Sequence, residues 1–280
     1  MRRSNLLYLS KGGIGSVYLE DEGDVVRKVY TTGNLEADLA CARREFEYQK
    51  KYWDSLEEWS PAGVRCPRPI EITDRAPVIF RMEACSGVRL QDYLTASNRE
   101  DAELQAIARS VAHGLVIFFD TFNEAHHDFH FANLLYDPLQ GTVTFIDFGK
   151  GLLLDTVDPR ILSLPPLEFT LGWALGYHIY EDSRPATLLR GTYSSALYFF
   201  FSILYKEFYA THRLSPHSWP LVTKAAIAKY KYAGYRTHRR MLWYSTIGYW
   251  VAQSRIHLVR KYLDFEDPLH PAHLLSSCRI

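Results

Sequence analysis

With 280 residues, of which 47% are apolar and 14% aromatic, the chain is long enough to bury a sizeable core, and its composition excludes a disordered or fibrous protein. Thirty-two basic residues balance 32 acidic ones, which excludes a binder driven by whole-chain charge. The balance is uneven along the sequence: residues 208–263 carry ten Lys and Arg and no Asp or Glu, whereas the remainder holds 22 basic against 32 acidic side chains. The four cysteines, Cys41, Cys66, Cys85 and Cys278, form no C-x-x-C pair, which argues against a disulfide framework or a thiolate metal site and points to a reducing, cytoplasmic setting. The N-terminal residues hold no apolar stretch of signal-peptide length. The most apolar run, Ala196 to Tyr205, is about half the ~20 residues a membrane span needs and is expected to be a buried helix.

In chain order, short β-prone runs punctuated by Gly and Asp from Asn5 to about Val29 predict a three-strand antiparallel meander. Leu35 to Trp59, free of Pro and Gly, predicts one long helix or two abutting ones. Val78 to Ala84 is expected as a buried strand, and Cys85-Ser86-Gly87 as a hinge that ends a first lobe. Helical spacing then dominates, at Leu90–Leu94 and Asp101–Phe122. It is interrupted by two β-prone stretches, Asn133–Asp137 and Thr142–Gly149, and only helices and loops are expected beyond Gly151.

The residues suited to chemistry follow one order. Ser10 to Tyr18 contains Gly12, Gly13 and Gly15 between two predicted strands, where small residues let backbone amides approach a polyphosphate. Alone, such a turn is commonly structural. Lys28 lies on the next strand, placed to reach nucleotide phosphates, and Glu45, seventeen residues later on the predicted helix, is spaced to pair with it. Each of these is ordinary in isolation, a solvated strand Lys and a surface helix Glu. Asp128 is followed five residues later by Asn133, and Asp147 comes fourteen residues after that. An Asp can take the proton of an attacking hydroxyl, while Asn and Asp oxygens are hard ligands suited to Mg²⁺. The alternative for this segment is a metal-binding or hydrogen-bonded His/Asp core cluster.

Taken together, the glycine turn, V-x-K strand, helix Glu, Met82-Glu83 hinge, H-x-D-x-x-x-x-N and D-F-G resemble the protein-kinase-like superfamily over roughly Leu9 to Gly151. The resemblance implies an α+β, bilobal fold, with a β-rich lobe over residues 1–85 and a mainly helical lobe over 86–280. It also implies ATP and Mg²⁺ as cofactors: Gly12, Gly13, Gly15, Val17, Val26, Lys28, Met82, Glu83 and Cys85 around the nucleotide, Asn133 and Asp147 on the metal, and Asp128, Lys28, Glu45 and His130 in catalysis. His130 stands where eukaryotic-type protein kinases place a Lys, and H-x-D-x-H-x-x-N is similar to aminoglycoside and choline phosphotransferases. The Gly63–Ile70 and Gly87–Leu90 segments look like lipopolysaccharide core sugar kinases and RIO-type kinases. The expected reaction is transfer of the γ-phosphoryl of ATP to a hydroxyl of a sugar, glycan or small molecule, with an atypical protein Ser/Thr kinase as the alternative.

The acid-free block interleaves its cations with aromatic residues such as Trp219, Tyr230, Tyr232 and Trp250. It suits an anionic acceptor or peripheral contact with the inner face of a membrane, and it carries no nucleic-acid recognition motif. In the competing reading the aromatics are core and the charges a solvated face. Periodicity puts Lys229, Arg236, Arg239 and Arg240 near one helical face.

Overall fold

The computed structural model describes residues 6–11, 15–20, 23–59, 61–96, 99–149, 157–183, 195–237 and 247–263. Strands β1 (Leu7–Lys11), β2 (Gly15–Leu19) and β3 (Val25–Tyr30) form the expected meander, and β5 (Pro69–Ile72) and β6 (Ile79–Glu83) complete an antiparallel sheet of order β1-β2-β3-β6-β5. Between these groups runs α1 (Leu35–Trp59), a single helix. Its start is fixed by Asn34, whose Oδ1 accepts from the amides of Glu36 (3.0 Å) and Ala37 (3.2 Å), a side-chain N-cap. Its buried residues, Asp38, Ala42, Glu45, Gln49, Tyr52 and Leu56, recur every three or four positions and so form one stripe. The first half of that stripe packs on the sheet through a cluster of Tyr30, Ala42, Val78 and Phe80. The second half enters the main core, where the Tyr52 hydroxyl donates to the Gly114 carbonyl (2.8 Å).

A second sheet, of order β4-β9-β8-β7, joins β4 (Val64–Arg65), β7 (Val88–Arg89), β8 (Leu134–Asp137) and β9 (Thr142–Phe145), with β4 parallel to β9 and the other pairs antiparallel. Only its last two strands were expected from the sequence. The helix expected from Leu90 is present and is preceded by β7, and two-residue strands such as β4 and β7 are too short to carry a period of two.

Around this sheet lie α2 (Leu90–Thr95), α3 (Asp101–Phe122), α4 (Pro159–Leu162), α5 (Pro166–Asp182), α6 (Ala196–Ala210), α7 (Ser218–Thr237) and α8 (Ile247–Leu263). The chain is therefore α+β, with a β-rich N-terminal region and a helical C-terminal part. The apolar run at Ala196–Tyr205 lies inside α6 and is largely buried, as expected. By length and composition α3 could cross a membrane, yet Leu104, Ile107, Val111, Leu115 and Phe118 on it belong to the main core.

The C-terminal helices are tied by buried polar links. Ser218 Oγ donates to Glu168 Oε1 (2.7 Å), joining α7 to α5. Arg255 on α8 lies 2.6 Å from Asp182 Oδ2, which also accepts from the Tyr198 hydroxyl (3.1 Å). Helices α5 and α7 meet closely because Gly172 and Gly176 leave no side chain between them. A Cβ on Gly176 would overlap the Ala226 carbonyl and come within 2.7 Å of Lys229 Cβ. Gly176→Ala is accordingly expected to force the helices apart and cost about 1–3 kcal/mol, read as a lower urea midpoint. An unchanged midpoint would mean that this contact is loose.

Candidate functional site

Strand β3 alternates its side chains, so Val26, Lys28 and Tyr30 share a face, and the register pairs Val17 with Lys28 and Met82 with Val26. Val17, Val26 and Met82 thus stand on the Lys28 face of the sheet. That face looks onto α1. Lys28 Nζ donates to both carboxylate oxygens of Glu45 (2.7 and 2.8 Å) and to Asp147 Oδ1 (3.0 Å), which brings together residues 17 and 119 positions apart. The Tyr30 hydroxyl donates to Glu45 Oε2 (2.6 Å), so the glutamate is held from two sides.

Burial works against the Lys28 charge, but the carboxylates of Asp147 and Glu45 outweigh it and hold the ammonium well above its ordinary range. Burial pushes Glu45 up, in part against the attraction of Lys28. Burial also acts upward on Asp147, yet Lys28 beside it keeps that carboxyl below the ordinary value. Asp147 takes a positive φ of 59°, a conformation that Asp and Asn tolerate better than most residues.

The hairpin of β8 and β9 sets the other half of the site. Leu134 pairs with Phe145, and the next step of the ladder continues as the Ile146 amide donating to the Asn133 carbonyl (3.1 Å), so Asn133 and Asp147 emerge at the same end. A short 3₁₀ turn, Phe131–Asn133, precedes β8, and within it the Asn133 amide group donates to the Asp128 carbonyl (3.0 Å). The loop is anchored from outside as well. Phe131 N–H reaches His178 Nε2 (3.5 Å) on α5, and His126 N–H reaches Thr170 Oγ1 (3.0 Å). Burial, reinforced by the nearby Asp147 carboxylate, pushes Asp128 up to about 6, while Lys229 and Lys28 pull it back. His130 is buried, with Nε2 4.0 Å from Asp128 Oδ1, and its ring stacks on Tyr177 at 3.9 Å and 9°. Burial and the neighbouring charges hold it far below the ordinary histidine range, hence neutral.

The sequence-predicted residues therefore fall into three groups. Lys28, Glu45 and Asp147 are in direct contact, and Asp128, His130 and Asn133 form the adjoining loop. Met82, Glu83 and Cys85 line the strand end and connector. There the Glu83 amide already donates to the Arg68 carbonyl (2.9 Å) and is not free for a base. A cavity of about 520 Å³ lies against this connector, lined by Trp53, Arg65, Cys66, Glu83 and Cys85, and is separate from the charged cluster. Gly15 opens β2 opposite Tyr30, whereas Gly12 and Gly13 lie outside the described residues.

In the basic block, Tyr230 is buried, Trp219 packs on the core and Trp250 is 70% exposed. Arg239 and Arg240 lie outside the described residues. Lys229 is a correction to the surface-face expectation: it is 8% exposed and sits over aromatic rings, because the glycine contact of α5 with α7 draws its stem inward.

Sequence reasoning missed Tyr30 and Tyr177, and it singled out Lys229 only as one cation of the basic block. Tyr30, two residues beyond Lys28, was legible from strand alternation, whereas the other two depend on helix packing. Among the described residues no group of three or more His, Cys, Asp or Glu is placed to hold a metal. Asn133 and Asp147 would supply two oxygen ligands, a set that suits only a metal taking its remaining ligands from water and phosphate. Comparison with protein families finds no family model that matches the chain, and comparison with curated proteins finds no match either.

Proposed function

We propose that the chain is an ATP-dependent, kinase-like phosphotransferase of bilobal design, acting on a hydroxyl of a sugar, glycan or other small molecule. The observation that carries this reading is the Lys28 ammonium held between Glu45 and Asp147, with the Asp128 loop beside it. Such an ammonium is fixed in space before a polyphosphate arrives, the condition under which a charge stabilises phosphoryl transfer most effectively. In this reading Asp128 accepts the proton as the acceptor oxygen bonds to the γ-phosphorus and the bond to the β-phosphate oxygen breaks, releasing ADP. A carboxyl titrating near 6 is largely ionised at neutral pH yet basic enough to take that proton. Asn133 and Asp147 fit a magnesium ion. The Asn133 NH₂ is committed to the Asp128 carbonyl, which presents its oxygen as the ligand atom, and Asp147 holds a depressed, ionised carboxyl. When bound, magnesium would neutralise phosphate charge. Only nine residues separate Gly149 from the start of α4 at Pro159, too few for a long substrate-gating segment, which favours a small acceptor over a protein.

The test separates the role of Lys28 in chemistry from its role in the fold. Lys28→Met removes a phosphate-positioning charge, with an expected loss of about 10²–10³-fold in kcat/KM for ATP. It also strands the buried Glu45, a cost of about 3–5 kcal/mol. Adding Glu45→Gln is expected to recover most of that stability and none of the activity. Recovery of activity in the double variant would remove Lys28 from the mechanism.

A further inference from the structure

Ten cations of the acid-free block would be unremarkable as a solvated face, but Lys229 does not belong to that face. Its stem enters between α5 and α7 at the point where Gly176 lets the two helices touch. Its Nζ lies 4.6 Å from the Trp173 ring centroid, 5.7 Å from that of Tyr232 and 6.0 Å from that of Tyr177. The Tyr177 ring in turn stacks on His130, whose Nε2 is 4.0 Å from the Asp128 carboxylate. One aromatic ring therefore separates this ammonium from the catalytic loop. Lysines are seldom so buried, and ring faces lower the cost of removing the charge from water by about 1–2 kcal/mol each at best. The same wall holds two buried polar atoms without a hydrogen-bond partner among the described residues, His130 Nδ1 and Trp173 Nε1. An unsatisfied polar group at such depth calls for an explanation, and a catalytic role is one of those available.

We propose that Lys229 is the second cation of the transfer site, a positioning residue that supports the Asp128 loop from the acceptor side as Lys28 supports the nucleotide side. The proposal rests on the phosphotransferase reading and deepens it. The site gathers three carboxylates, Glu45, Asp128 and Asp147, and Lys28 bridges two of them, Glu45 and Asp147. Negative charge moving from the β-phosphate side toward Asp128 would meet repulsion from Asp128 and Asp147 alike. A fixed positive charge near Asp128 offsets that repulsion without needing to reorganise. The electrostatic influence of Lys229 reaches both Asp128 and His130.

Magnesium-dependent ATP hydrolysis, with water in place of the unidentified acceptor, supplies the test. Lys229→Met keeps the stem that packs between the rings and removes only the charge. Its kcat is expected to fall about 10–100-fold with KM for ATP within about twofold of wild type, and Lys229→Arg to recover most of the loss. A thermal melt establishes that each variant is native, and Lys229→Gln takes the place of Lys229→Met if the latter does not fold. A folded, charge-free variant with wild-type kcat overturns the proposal. So does a charge-free variant whose kcat and KM change together and which Lys229→Arg does not rescue, since that is the signature of a packing role. A wild-type protein that neither hydrolyses ATP nor transfers its phosphoryl group overturns the underlying reading, and this proposal with it.

Discussion

Asp147→Asn is expected to lower phosphoryl transfer by at least about 10³-fold while leaving the protein folded, the largest single effect the site implies. The substitution is conservative in every respect but charge. Asparagine tolerates the positive φ of 59° found at this position, and its side-chain oxygen still accepts from Lys28. What it loses is the ionised carboxyl proposed to hold magnesium and one of the two carboxylates that hold the Lys28 ammonium in place. The fold should tolerate the change, because Asp147 and Glu45 repel each other across Lys28 and removing one relieves the other. Calorimetric titration with ATP would show magnesium-dependent binding in wild type and its loss in the variant. A variant that is native by thermal melt and still turns over at the wild-type rate would remove Asp147 from the chemistry.

Asp128→Asn is expected to reduce kcat by about 10²–10⁴-fold, the usual contribution of a general base, with affinity for ATP nearly unchanged because the proposed role of Asp128 is toward the acceptor. The same substitution should stabilise the protein. The folded-state pKa of Asp128, about 6, lies above that of a free carboxyl, so the folded chain holds this proton more tightly than the unfolded chain does. Its ionised form therefore costs stability at neutral pH, and the cost disappears as pH falls below the ordinary carboxylate range. The side chain keeps 31% of its surface exposed, which limits the gain on replacement to about 1–2 kcal/mol at about pH 7.5, with little gain at about pH 4. Activity lost together with a lower melting temperature at neutral pH would indicate a structural role in place of the assigned one.

Much of this arrangement was legible in the sequence because it is built from short-range order. Lys28 and Tyr30 share a strand face by alternation, Glu45 falls on the α1 stripe by helical spacing, and a hairpin brings Asn133 and Asp147 to one end. Each of these follows from a local period and a spacing. The strands β4 and β7 escaped detection because two residues have no period, and they exist only because β8 and β9 offer them partners. Tyr177 and the inward turn of Lys229 escaped for a different reason. Helix α5 is buried almost all round, so nothing in its pattern marks which face adjoins the site. Which cation of α7 turns inward is decided by Gly172 and Gly176 on another helix, information that no window along α7 contains. The meander, β6 and α1 were thus readable from the chain alone, whereas β5 and the wall behind Asp128 were readable only from the packing.

The most direct measurement of the central claim is the fate of the γ-phosphate. Wild-type protein and Asp147→Asn would be incubated with γ-labelled ATP and Mg²⁺ and a cell lysate separated into protein, glycan and small-molecule pools. The account predicts label in the glycan or small-molecule pool with wild type, dependent on magnesium and absent with Asp147→Asn. Label confined to the protein pool would contradict the proposed acceptor class, and no label in any pool, with no ADP formed by the native wild-type protein, would contradict the phosphotransferase itself.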